Sequence, residues 1–140
     1  MANWYGAARS NYFKVKNREA FEQAMDAIAI MIIEGEGSNR GLVAIAPDPD
    51  ASDDGGWPRC TLDEETGEDL EIDVPGVVSE HLAENCVAVF MQSGHEKRRY
   101  VSGYAEAVDC TGKRVKVSLF DIYQLASEQF EDKVVTEATY

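Results

Sequence analysis

Apolar and polar positions alternate along SNYFKVK, residues 10–16, with Phe13 and Val15 on one face and Tyr12, Lys14 and Lys16 on the other. That period predicts a half-buried strand. The period then lengthens. Ala20, Phe21, Ala24, Ala27 and Ile28 recur at helical spacing, with Arg18, Glu19, Glu22, Gln23 and Asp26 outside and Asn17 as N-cap. The β-branched run Ile30–Glu34, the turn residues EGEGSNRG and the apolar run Leu42–Ala46 predict a hairpin. Pro, Asp and Gly make 47–58 a loop. Leu70, Ile72 and Val74 then alternate with Asp69, Glu71 and Asp73, predicting a strand with an anionic outer face.

Pro75–Asn85 reads as a short helix, with Val78 and Leu82 inward. CVAVFM, residues 86–91, is a continuous apolar run that predicts a central strand, and SGHEK a turn. Two further strands, Arg98–Asp109 and Lys113–Leu119, are joined at CTG. Ser118 and Asp121 then open a final helix whose buried stripe is Leu119, Ile122, Tyr123, Ala126 and Phe130. Residues 131–140 read as a frayed tail. Successive hairpins with three helices predict an α+β fold: a mainly antiparallel sheet with the helices on one face, in one domain over 1–130 with an acidic loop at 47–69.

Charge changes this ordinary picture. The 140 residues carry 26 acids against 13 bases, a net charge of -13. Residues 41–90 alone hold thirteen acids and one base, whereas 91–120 hold six bases and three acids. The focus is Pro47–Asp73, where Asp48, Asp50, Asp53, Asp54, Asp63, Glu64, Glu65, Glu68, Asp69, Glu71 and Asp73 face the single cation Arg59. Such a stretch repels nucleic acid and membrane surfaces and attracts basic partners. With Trp57 as an apolar anchor, these carboxylates are the candidate partner-binding residues. Solvation alone would also account for them.

Other chemistry is sparse. No GxSxG, P-loop, GxGxxG or HExxH occurs, so no catalytic residue, metal or cofactor is assigned. Asp48–Arg59 fails the calcium-loop template, because Asp53 stands where Gly is needed and Arg59 where Glu is needed. A small metal-dependent enzyme using these carboxylates with His81 or His95 stays open as an alternative. Another alternative is a single-stranded nucleic-acid module built on Lys97, Arg98, Arg99, Lys113, Arg114 and Lys116 with Tyr100 and Tyr104, against which the pI of about 4.4 argues. The preferred reading pairs those cations with the acidic region, within one molecule or across a homodimer. Cys60, Cys86 and Cys110, an odd count without CxxC, point to a reducing compartment. With no signal peptide or membrane span in the sequence, the expected location is the cytoplasm.

At NWYGAARSNYFKVK (3–16), GGWP (55–58) and RRYVSGYAEAV (98–108), the sequence resembles a group of small acidic proteins carried by phages, plasmids and integrated elements of proteobacteria. The likeness runs through most of the chain, its motifs are not catalytic signatures, and it transfers no residue roles. It implies an anti-defence role, as a DNA mimic or a direct inhibitor of CRISPR or restriction complexes. Carboxylates alternating along a strand lie ~6–7 Å apart, loosely comparable with neighbouring phosphates of one nucleic-acid strand.

Overall fold

The computed structural model describes residues 5–51, 54–96 and 100–138. In chain order the elements are β1 (Tyr5–Ser10), α1 (Arg18–Ala27), β2 (Ile30–Glu34), β3 (Val43–Pro47), β4 (Cys60–Leu62), β5 (Asp69–Glu71), α2 (Val74–His81), β6 (Val87–Glu96), β7 (Tyr100–Asp109), β8 (Arg114–Ser118) and α3 (Asp121–Gln129). The main sheet is antiparallel, ordered β1-β6-β7-β8, and two separate hairpins, β2–β3 and β4–β5, complete the fold. This is the expected α+β class.

Local chemistry explains most boundaries. The Asn17 side chain accepts from the Ala20 amide at 3.1 Å, a cap contributing about 1 kcal/mol, and Phe21 and Met25 are the buried positions of α1. The predicted β2–β3 hairpin forms, with Ile32 opposite Ile45. At the start of α3, Asp121 accepts from the Ser118 amide at 2.7 Å and Ser118 Oγ from the Phe120 amide at 3.1 Å.

The segment after β1 joins the two halves. The strand predicted at 10–16 ends at Ser10. Beyond it Phe13 bridges Val43 and Val15 bridges Leu82. The alternation was real, but two different partners bury its two apolar residues. Asn11 imitates a ladder rung with its side chain: Nδ2 donates to the Val87 carbonyl at 3.0 Å and Oδ1 accepts from the Val89 amide at 2.8 Å. Ser10 does the same toward β3, its Oγ accepting from the buried Ile45 amide at 2.8 Å. The donors along this edge of β3 are therefore all accounted for: Val43 bonds Phe13, Ile45 bonds Ser10, and Pro47 has no N–H.

One contiguous core joins Phe13, Phe21, Met25, Ile45, Val78, Leu82, Phe90 and Val108. Helix α1 packs on β2 and α2, and α2 on β6 and β7. In the main sheet Ala88, Phe90 and Val108 face this core. The opposite face carries Ala7, Met91, Ala105, Val115 and Val117, with nothing over it among the described residues.

Four expectations are corrected. The SGHEK turn does not form where placed, because β6 continues through His95 to Glu96 in register with β7. Within the acidic stretch, β4 pairs with a β5 of only three residues, and Leu70 on it is exposed rather than inward. Val74 is buried, but as the first residue of α2, a helix that ends at His81 rather than near Asn85. The stripe of α3 is not buried: Leu119, Ile122 and Phe130 are each half exposed or more.

Candidate interaction surface

The acidic stretch folds as two parts with different anchoring. Its first part is a loop tied to the sheet. The Asp54 carbonyl accepts from the Gly6 amide at 2.8 Å, and its carboxylate accepts from the Gly56 amide at 2.9 Å. Gly55, at φ +82°, lies so close to β1 that a Cβ there would stand 2.0 Å from the Gly6 carbonyl oxygen. The Trp57 amide donates to Gln92 Oε1 at 2.9 Å, and its ring meets Phe90 edge-on with centroids 5.5 Å apart.

Trp57 is only 7% exposed, so the anticipated surface anchor is instead the pin that holds this loop against the core. The surrounding acids allow either placement, and the apolar contact with Phe90 decides it. Its indole Nε1 is buried without a hydrogen-bond partner among the described residues, a cost of about 1–3 kcal/mol set against the burial of the ring.

The second part is the β4–β5 hairpin. Its turn is closed by the Glu65 amide on the Asp63 carboxylate at 2.9 Å and the Gly67 amide on the Asp63 carbonyl at 2.7 Å. Glu64, Glu65, Glu68, Asp69 and Glu71 are exposed around it. Asp69 and Glu71 share one face of β5, opposite to Leu70. At the hairpin's base, Asp73 forms a two-pronged ion pair with Arg114 on β8, one prong at 3.0 Å. The Arg114 hydrogen bond holds the Asp73 carboxyl below the usual aspartate range and raises the guanidinium in turn.

Ion pairs are few here. Arg59 reaches Asp54 at 3.6 Å and Arg114 reaches Asp73. Among the described residues, Asp48, Asp50, Asp63, Glu64, Glu65, Glu68, Asp69 and Glu71 have no cationic partner. Asp48 closes its own turn, accepting from the Asp50 amide at 2.9 Å. Asp53 lies outside the described residues, as do Lys97, Arg98 and Arg99.

Of the described cations of 113–116, Arg114 pairs with the acidic region as the preferred reading requires, while Lys113 and Lys116 are exposed without an acidic ion-pair partner among the described residues. Lys116 Nζ stands 4.5 Å from the centre of the Tyr104 ring. Burial, followed by the Glu106 charge, raises the Tyr104 hydroxyl above its ordinary range. Between the sheet and the 57–75 segment lies a cleft of about 550 Å³, where Arg59 and Lys116 mix with Asp73 and Glu106. No imidazole or thiol lines it among the described residues.

The remaining candidates are scattered. His81 ends α2 with its ring 6.0 Å from that of Phe21, whereas His95 lies on β6, 6.0 Å from the ring of Tyr5. Neither imidazole has a carboxylate partner among the described residues, and no three His, Cys, Asp or Glu side chains there stand close enough to hold a metal ion. Cys60 is exposed on β4, while Cys86 and Cys110 are partly buried. No described helix is long and apolar enough to cross a membrane. Sequence reasoning missed the open face of the main sheet, although the alternation of Val115 and Val117 with Arg114 and Lys116 marked one of its strands.

Compared with protein-family models, curated proteins and solved structures, the chain matches none.

Proposed function

We propose that this protein is a non-enzymatic acidic interaction protein of a mobile element, which occupies a basic nucleic-acid groove on a host defence complex of the CRISPR or restriction type. The observation that carries this reading is the set of eight carboxylates from Asp48 to Glu71 without a cationic partner among the described residues, most of them exposed on and around the β4–β5 hairpin. Charges left unpaired within the molecule are available to a basic groove, where they steer association and set register. The resemblance of residues 3–16, 55–58 and 98–108 to phage and plasmid proteins points to the same role, exercised in the host cytoplasm.

The test uses purified defence effectors loaded with labelled duplex DNA. Wild type is compared with a variant carrying Asp63→Asn, Glu64→Gln, Glu65→Gln, Glu68→Gln and Asp69→Asn, in which turn acceptors are retained. Wild type displaces the DNA from its target effector, less so as salt rises, and the variant loses that activity. Displacement that is equal for both proteins, or absent from every effector, overturns the reading.

A further inference from the structure

The open face of the main sheet and the exposed stripe of α3 are two halves of one contact. On the sheet, Ala7, Ser93, Gly103 and Ala105 form a floor of small residues in an apolar groove of about 590 Å³. Met91, Val117 and Leu119 rise beside it, and Leu119 Cδ1 would stand 3.1 Å from a Cβ at Gly103. On α3, Ile122, Leu125 and Ala126 follow helical spacing on one face, with Ile122 58% and Leu125 57% exposed. A floor of small side chains lets a helix approach closely, and a helix with protruding apolar side chains fits it.

The extent of this surface points to a stable partner. Met91, Val115, Val117 and Leu119 on the sheet, with Ile122 and Leu125 on α3, are each half exposed or more. At ~200 Å² per large side chain they leave on the order of 700 Å² of apolar area open. A typical monomer's largest patch is ~300–600 Å², and a standard interface needs ~800 Å² per partner.

We infer that the occupant is a second copy of this chain, with α3 of each protomer seated on the sheet floor of the other. Both complementary halves are present on one chain, so a two-fold arrangement buries both and closes on itself. A foreign partner filling the groove would leave the α3 stripe uncovered. Charge permits the approach despite the net -13. The acidic hairpin's base and Trp57 border the cleft on the core side of the sheet, away from this face. Among the described residues the charges on the open face of the sheet are few: Arg9, and Asp109, whose carboxylate is engaged by Thr111 and the Lys113 amide.

The test compares sedimentation of wild type with Val117→Glu on the floor and Leu125→Glu on the helix, both surface positions at 55% and 57% exposure. Wild type is dimeric at ~10 µM, and each variant weakens the dimer by at least ~30-fold. Mixing the two variants restores dimers. The Leu125→Glu copy keeps an intact floor and the Val117→Glu copy an intact helix, so one of the two seats survives. Misfolded variants would not complement in this way. A monomeric wild type, a dimer indifferent to either substitution, or variants that fail to complement would overturn the inference.

Discussion

Replacing Ser10 by Ala removes one oxygen from the junction between the main sheet and the β2–β3 hairpin. Ser10 is 3% exposed and Ile45, whose amide it accepts, is fully buried. No water reaches that amide to compensate. Stranding a buried donor costs about 1–3 kcal/mol, more than the net value of an average hydrogen bond, because the desolvation penalty of the survivor is added. The donated bond to the Asn11 carbonyl at 2.8 Å is lost as well, but at a partly buried position where solvent can substitute. At this chain length the loss lowers Tm by ~3–9 °C. Calorimetry measures the shift, and amide hydrogen exchange locates it, since the Ile45 amide should lose protection while amides inside α1 keep theirs. A loss under ~0.5 kcal/mol with Ile45 protection unchanged would show that the hydroxyl is not the bond closing this edge.

Gly55 and Gly67 both have positive φ, yet they should respond differently to Ala: at Gly67 nothing lies within 4 Å of the new Cβ, so the cost is ~1 kcal/mol, whereas at Gly55 the collision with Gly6 roughly doubles it or more. Equal losses in denaturant melts would refute the close approach. Asp73 has its folded pKa depressed, chiefly by the Arg114 hydrogen bond, so its stabilisation is fully present above the unfolded value and fades as pH falls below ~4. Because the pair is largely solvent-exposed, the effect is at most ~1 kcal/mol; Asp73→Asn should therefore remove a small part of the acid limb of the stability curve and leave salt-free stability at pH 7 slightly lower. Cys60 should react with an aromatic disulfide reagent well before Cys86 and Cys110, in keeping with its exposure, and Cys60→Ser should abolish that fast phase; a fast phase that survives would place another thiol at the surface.

Periodicity was a good guide wherever one partner buries one face. Helix α1, with Asn17 before it and Phe21 and Met25 within, obeys a local rule, and so do the β2–β3 hairpin and the β7–β8 pair. It failed where burial depends on distant chain. Nothing near Phe13 and Val15 says that β3 and Leu82 will divide them, and nothing near Leu119 or Ile122 says that α3 will stay off the core. The acidic stretch was visible in composition, and the pairing of Asp73 with Arg114 follows from charge once the fold brings Arg114 to the start of α2. The inward turn of Trp57 needed Phe90 and Gln92, both about 35 residues away.

The long sequence separation between Asn11 and its partners on β6 bears on how the chain is made. Among the described residues the ladder partners of β1 are Phe90–His95, so during synthesis β1 waits for them until β6 follows. At ~5–20 residues per second that interval is roughly 5–20 s, long compared with the formation of a helix or a local hairpin. Helix α1 and the β2–β3 hairpin can assemble meanwhile, with Phe13 already bridged to Val43. The sheet itself can form only once β6 has emerged, with β1 pairing along one edge of β6 and β7 along the other. Cellular yield of folded protein therefore depends on what shields that first strand on the ribosome as well as on the stability of the final fold.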